Sequence, residues 1–239
     1  MSLLIGQSSE GTTWGELPIV RRFMKGHFEN DPLFPKFYYT WDVSTVFEYF
    51  RGLPRPAELP LDLLTKKLCL LLVLLSGGQR SQTIHTLQVT DFQIVGNTLV
   101  MPIMAKIKQT RSGRHMHPLG FRVYTQNEKL CVVTHLTWYL KRTSVYRKDK
   151  NLFLSYIKPH RAAGKDTIAR WCKSVLSVSG INTDLYSSHS SRSAATSSAK
   201  RKGISLTKLT KCAGWSSERT FALYYDKNVE DESTFQDFL

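Results

Sequence analysis

Acidic residues are scarce in this chain. Its 239 residues hold 19 Asp and Glu against 33 Lys and Arg, a formal charge of +14 at pH 7. Such an excess destabilises a compact fold by self-repulsion until a polyanion neutralises it; nucleic acid is the commonest such partner and an anionic membrane surface the second. Long hydrophobic runs are also missing. The longest, LCLLLVLL at 68–75, is far shorter than the roughly 20 residues a bilayer span needs. It reads as a buried helix, which disfavours an integral-membrane reading of the charge, and no membrane partner is expected. The opening MSLLIGQSSEGTTWGEL turns polar at once, so no secretory signal is visible. Cysteine is sparse as well. Cys69, Cys131, Cys172 and Cys212 are scattered without close pairing, three of them in apolar segments, and read as reduced core thiols of an intracellular protein. Cys131 and His135 in CVVTH share a helical face, as half a metal site would, but no second pair at matching spacing joins them. No metal and no cofactor are expected.

What is present is an apolar fraction of 41%, enough for a real core. LPIVRRFMKGHF reads as a short helix, and ENDPLFPKFYYTWD, with its two prolines, as an extended connector. In VSTVFEYFRGL the apolar residues Val43, Val46, Phe47 and Phe50 fall at helical spacing. PRPAELP interrupts, and LDLLTKKLCLLLVLLS forms a long helix that Gly77 and Gly78 are placed to stop. The period then changes. Over 91–119 the spacing predicts three short antiparallel strands, with a Gly96-Asn97 turn, a second turn at TRSGR, and HMHPL as the third strand. Helices return in EKLCVVTHLTWYLKRTSVYR, GKDTIARWCKSVLSVSG, SSHSSRSAATSSAKRKG, SLTKLTKCAGW and SERTFALYYDK. There is no internal repeat. The expected class is α+β, mainly α, with one small sheet.

Charge is uneven. Residues 141–173 carry ten Lys and Arg against two acids, and 199–211 carry five basic residues and none. The tail reverses sign with Asp226, Glu230, Asp231, Glu232 and Asp237, either as a solvated end or as a segment docking on a basic neighbour.

The stretch 187–203 holds the sharpest local signal. His189 and Arg192, three apart, project from one helical face. Ser187 and Ser188 are candidate N-caps, and the free N–H groups of a helix start favour an anion. Arg192 adds a planar fork matched to phosphate oxygens, and His189 a donor that moves a proton near neutral pH. Ala194, Ala195, Ser198 and Ala199 let another element approach closely. Three further segments bear on this pair. Arg80 follows the glycine pair that ends the buried helix, where an ordinary C-terminal cation also sits. Lys108 lies near a hairpin tip, as solvated lysines do. Trp215 follows the helix-ending Gly214, with Tyr224 and Tyr225 on the next helix, where aromatics are usually core.

Taken in order, an Arg, a hairpin Lys, His-x-x-Arg, Gly-Trp and a Tyr resemble the series of the tyrosine recombinase (phage integrase) family over roughly residues 60–228. FYYTWDVSTVFEYF, LSGGQRSQTIHTL, LFLSYIKPH, TIARW, HSSRSAATSSA and AGWSSERTFALYY are more closely similar to the recombinases of DIRS-type retrotransposons, with Crypton transposases as near relatives. That likeness implies a eukaryotic mobile element, or a host gene derived from one, and a nuclear location. It further implies a site-specific recombinase or integrase that cleaves and rejoins double-stranded DNA through a 3′-phosphotyrosine, assembled as a synaptic tetramer. Arg80 and Arg192 would clamp the phosphate oxygens, with His189 as a further donor and Trp215 as a donor and packing surface. Lys108, preferred to Lys106, would protonate the leaving 5′-oxygen. The DIRS-type pattern makes Tyr225 the nucleophile; the spacing of many phage-type members selects Tyr224.

The expected divisions are 1–55, an N-terminal extension or remnant of a core-binding domain with its linker; 56–228, the catalytic domain; and 229–239, an acidic tail. The short N-terminal part suggests a truncated catalytic fragment or an element lacking most of the core-binding domain. Rival readings are a domesticated, inactive DNA-binding protein and a topoisomerase of the same chemistry. An RNA-binding module fits less well, because the small sheet is lysine-rich and aromatic-poor. His115 and His117 alternate on the third strand, as a metal pair or as solvated or phosphate-contacting groups. AKRKG at 199–203 resembles a minimal nuclear signal, although DNA contact explains it equally.

Overall fold

The computed structural model describes residues 17–30, 39–107, 110 and 116–229. Lys108, His115, most of the TRSGR turn, the connector at 31–38 and the tail from Glu230 onward lie outside the described residues. The chain divides into two compact units, 1–38 and 39–239. The described part of the first contains helix α1 (Pro18–Asn30), which covers most of LPIVRRFMKGHF and runs two residues further, through Glu29 and Asn30 of the expected connector.

The second unit begins with a two-residue strand, β1 (Tyr39–Thr40), and helix α2 (Val43–Gly52), whose N-cap Asp42 accepts from the Ser44 N–H at 3.0 Å. Next come α3 (Leu61–Leu75), the single turn α4 (Ser81–Ile84), and the strands β2 (Gln93–Val95), β3 (Thr98–Met101) and β4 (Leu119–Arg122). Then follow α5 (Val132–Thr143), α6 (Lys165–Val178), α7 (Ser190–Arg201), α8 (Leu206–Ala213), α9 (Glu218–Tyr224) and a last short strand, β5 (Asn228–Val229).

α3 is the axis of this unit. A helix apolar on every side has no face for solvent and sits in the middle of a core. Leu64, Leu68, Leu70, Leu71 and Leu72 are fully buried, and α5, α6 and α7 all pack around them. The one cation on its buried surface, Lys67, is tied down: Nζ donates to the Phe50 carbonyl at 3.1 Å and lies 5.2 Å from the centre of that residue's ring. Burial, with Lys129 nearby, pulls the Lys67 ammonium down to about 8. Trp41, Val43, Val46 and Phe50 lie in the same apolar cluster as α3. α2 therefore shares the core built around α3.

The sheet β2-β3-β4 is antiparallel, with Leu99 opposite Phe121 and Met101 opposite Leu119, all four buried. Its third strand departs from expectation. HMHPL is not the strand: His117 and Pro118 precede it, and β4 starts at Leu119. Proline has no N–H for the ladder, and the inward-outward alternation begins only with Leu119. β3 likewise stops at Met101, before Pro102, so Lys106 is exposed on irregular chain rather than on a strand face. Cys69, Cys131 and Cys172 are buried as expected, but Cys212 is exposed on α8, which corrects the reading of all four as core thiols. Cys131 serves as a helix cap. Its Sγ accepts from the Thr134 N–H at 3.5 Å, while the buried His135 ring pairs through Nδ1 with the Cys131 carbonyl at 2.8 Å.

A second sheet joins the two ends of this unit. β1 and β5 pair in parallel, Tyr39 beside Asn228 and Thr40 beside Val229. Two residues are too few for a periodic signal, and nothing in the sequence pattern predicts this pairing.

Candidate active site

Two glycines set the geometry. Gly77 and Gly78 end α3 with φ of +80° and +71°, where a side chain is strained. A Cβ on Gly78 would also meet the Arg192 Cα at 2.7 Å. The α3 terminus and the first turn of α7 therefore touch backbone to backbone, which brings Arg80 and Arg192 together although they are far apart in sequence. The small residues of α7 do what their size suggests: Ala194 and Ala195 are buried as α7 packs on α3.

Arg192 is only 3% exposed. Its Nη1 donates to the Gly78 carbonyl at 3.0 Å and its Nη2 to the Ala213 carbonyl, so helix ends from α3 and α8 hold the guanidinium plane. Two of its five donors are used in this way, and Nε has no protein partner. Burial, and next the like charge of Arg80, pull this guanidinium down to about 10, while Tyr225 acts in the opposite sense. Among the described residues no carboxylate pairs with Arg80 or Arg192. Two cations packed together without an acid are stabilised by an anion placed between them.

Arg80 caps the start of α4 and is half-buried. Its Nη2 donates to the Tyr225 hydroxyl at 3.1 Å. Gly214 ends α8 in the left-handed conformation, at φ +71°, and turns Trp215 inward. The Trp215 ring lies 4.7 Å from that of Tyr225, nearly parallel at 29°. The Arg192 guanidinium carbon is 4.8 Å from the centre of the Trp215 ring and 5.4 Å from that of Tyr225. Arg192, Trp215 and Tyr225 thus form one packed group with Arg80 on the phenol oxygen. Tyr224, the alternative, is 66% exposed and is not part of it. Tyr225 itself falls just past the end of α9, with φ −128°.

His189 occupies the N-cap position of α7, exposed and in helical conformation, and lines one cleft with Arg80, Ser81, Ser188 and Arg192. This corrects the expectation that Ser187 or Ser188 caps the helix. The local hydroxyl bond comes instead from Ser190, whose Oγ donates to the Ser187 carbonyl at 2.7 Å and accepts from Trp41 Nε1 at 2.8 Å. The structure therefore gathers Arg80, His189, Arg192, Trp215 and Tyr225; Lys108 lies outside the described residues.

Sequence reasoning missed several supporting groups. Gln79, almost fully buried, donates from Nε2 to the Cys212 carbonyl at 2.7 Å and locks the glycine turn to α8. Ser197, also buried, donates to the Tyr225 carbonyl at 2.6 Å. Neither has a local signal. One follows two glycines and the other stands among many serines.

Residues 60–231 match the Phage integrase family. The fold is similar to that of the XerH site-specific recombinase bound to difH substrate, at 13% identity and TM-score 0.60, covering 98% of this chain and 57% of that one. It is also similar to the XerA recombinase, at 15% identity and TM-score 0.56, covering 88% and 66%. The Tn1549 transposon integrase in complex with transposon right end DNA gives 13% identity and TM-score 0.52, covering 87% and 66%. At these identities the likeness is one of fold, and the chain spans 57% of the length of the XerH chain. A comparison with curated proteins finds no match. The mainly helical architecture with its three-stranded antiparallel sheet is that of the tyrosine recombinase catalytic domain, and with the match running across 60–231 the chain belongs to the phage integrase family, the tyrosine recombinases.

Proposed function

We propose that the chain is a site-specific DNA recombinase or integrase that cleaves and rejoins double-stranded DNA through a 3′-phosphotyrosine. The observation that carries this reading is the bond from Arg80 to the Tyr225 hydroxyl, with buried Arg192 stacked beside it and, among the described residues, no carboxylate ion-paired with either. Attack on a phosphodiester builds negative charge on the non-bridging oxygens, and preorganised cations in a water-poor site stabilise that charge strongly. Arg80 and Arg192 supply those cations, and His189 lines the same cleft as a further donor. The Tyr225 oxygen forms a bond to phosphorus as the bond to the 5′-oxygen breaks. The phenolic proton leaves to solvent or His189, and Lys108 delivers a proton to the departing 5′-oxygen. The phosphotyrosine retains the bond for religation, so no separate energy source is needed.

The basic surface, +14 overall, supports DNA as partner. A synaptic tetramer on DNA, a mobile-element source of the DIRS or Crypton kind, action in the nucleus, and a catalytic domain spanning 56–228 belong to the same proposal. They rest on the sequence resemblance.

The test is a nicked suicide substrate that traps the covalent adduct, read on a denaturing gel. Wild type should form the adduct. Tyr225→Phe should abolish it and leave DNA binding intact. If wild type forms none, the chain is not a strand-cleaving enzyme. If Tyr224→Phe abolishes the adduct and Tyr225→Phe does not, the nucleophile is misassigned.

A further inference from the structure

The second half of α7 grips the segment that carries Tyr225. Ser197, Lys200 and Arg201 stand at i, i+3 and i+4, one face of the helix, and each binds within 225–227. Ser197 Oγ donates to the Tyr225 carbonyl at 2.6 Å and accepts the Lys227 N–H at 3.0 Å, so one hydroxyl holds the backbone on both sides of Asp226. Lys200 forms an ion pair with the Asp226 carboxylate. Arg201 Nη1 donates to the Lys227 carbonyl at 3.1 Å. Directly after these residues, β5 pairs with β1, and Trp41, next to β1, bonds Ser190 at the start of α7. The path closes on itself, from mid-α7 through 225–229 to β1 and back to the head of α7.

This grip matters because Tyr225 is not within a helix. The Tyr225 and Asp226 N–H groups both reach the Phe221 carbonyl, at 2.8 and 2.9 Å, and tie this segment to the end of α9. Ser197 adds the restraints on the Tyr225 carbonyl and the Lys227 N–H. Arg192 lies five residues before Ser197 on the same helix.

We propose that Ser197 is a positioning residue: with Lys200 and Arg201 it sets the Tyr225 backbone in register with Arg192, so that a single helix aligns the nucleophile with the phosphate site in cis. The inference rests on the reading of Tyr225 as nucleophile. A displacement of about 1 Å in such a geometry lowers a rate by up to about 100-fold. Ser197 is buried and bonds backbone atoms of Tyr225 and Lys227 rather than the phenol oxygen, so its effect should fall on the chemical step and spare binding.

The experiment combines three measurements on Ser197→Ala, Ser197→Thr and Lys200→Met: single-turnover cleavage of the nicked substrate, DNA affinity, and hydrogen exchange of the Lys227 amide without DNA. Ser197→Ala should cleave about 10- to 100-fold more slowly, bind DNA within about 2-fold of wild type, and lose protection at Lys227. Ser197→Thr keeps the hydroxyl and should recover a large part of both rate and protection. Lys200→Met, at a half-exposed site where folding is not at stake, should slow cleavage a few-fold, and high salt should slow wild type toward the same rate. Wild-type cleavage by Ser197→Ala, or affinity lost in step with rate, overturns the proposal. If the threonine variant is too large to fold, wild-type cleavage by Lys200→Met together with an unchanged rate in Ser197→Ala overturns it equally. Should wild type give no adduct, the enzymatic reading fails; a Lys227 amide equally protected in wild type and Ser197→Ala then refutes the grip itself.

Discussion

α3 and α7 are both buried, touch each other, and are built on opposite principles. α3 fills its surroundings with leucine, a side chain without polar atoms and tolerant of exchange for another of similar volume. α7 fills its surroundings with Ser191, Arg192, Ser193, Ala194, Ala195, Thr196 and Ser197, all buried. Most of these polar groups need a partner, since an unmet buried donor or acceptor costs about 1–3 kcal/mol. Thr196 returns its hydroxyl to the Arg192 carbonyl at 2.7 Å, Ser197 gives its own to Tyr225, and Arg192 spends two donors on helix ends. The leucine helix supplies bulk stability. The serine-rich helix supplies geometry, because its partners are specific atoms rather than any apolar neighbour.

The largest expected effect breaks the geometric helix. Arg192→Lys keeps the charge but loses the fork that spans Gly78 O and Ala213 O, and cleavage per folded molecule should fall about 1,000-fold, read by single-turnover kinetics. Leu71→Met on α3, an exchange of similar modesty, should leave that rate unchanged. Next comes the seam between the two helices. Gly78→Ala forces a side chain into φ +71° and against the Arg192 backbone. It should cost at least about 2 kcal/mol in denaturant unfolding and lower the cleavage rate with it, because the strain is relieved by moving Arg192.

The smallest effect sharpens the comparison from the α3 side, where Lys67 is the exception. Its ammonium titrates near 8 in the folded chain, against 10.5 unperturbed. Below pH 8 both states hold the proton, and this residue adds no pH dependence. Between the two values the unfolded state binds more protons, so stability rises with pH. Wild type should gain about 1 kcal/mol relative to Lys67→Met between pH 8 and pH 9, measured by urea unfolding at each pH. No relative gain would mean that Lys67 stays solvated.

Much of this was legible before the fold was known. The leucine period marks α3, the prolines and glycines mark most breaks, and the order Arg80, His189, Arg192, Trp215, Tyr225 marks residues that the fold brings together. What stayed hidden shares a physical cause: it depends on atoms that meet only in three dimensions. Gly77 and Gly78 read as a helix stop because a close approach by α7 leaves no trace beside them. Ser187 and Ser188 read as caps by residue type, whereas Trp41, some 149 positions from Ser190, decides which hydroxyl is used. Ser197 is one serine among many until Tyr225 is folded against it. HMHPL reads as a strand because His115 and His117 alternate, while Pro118 withholds the N–H that a strand needs and β4 starts only at Leu119.

The most direct measurement of the central claim is to locate the phosphate after DNA cleavage. Nuclease and trypsin treatment of the trapped adduct leaves the peptide TFALYYDK, Thr220–Lys227, whose fragmentation separates the two tyrosines. The account predicts a phosphate-bearing nucleotide remnant on Tyr225. A remnant on Tyr224, which lies 66% exposed, or none on either tyrosine, would contradict it.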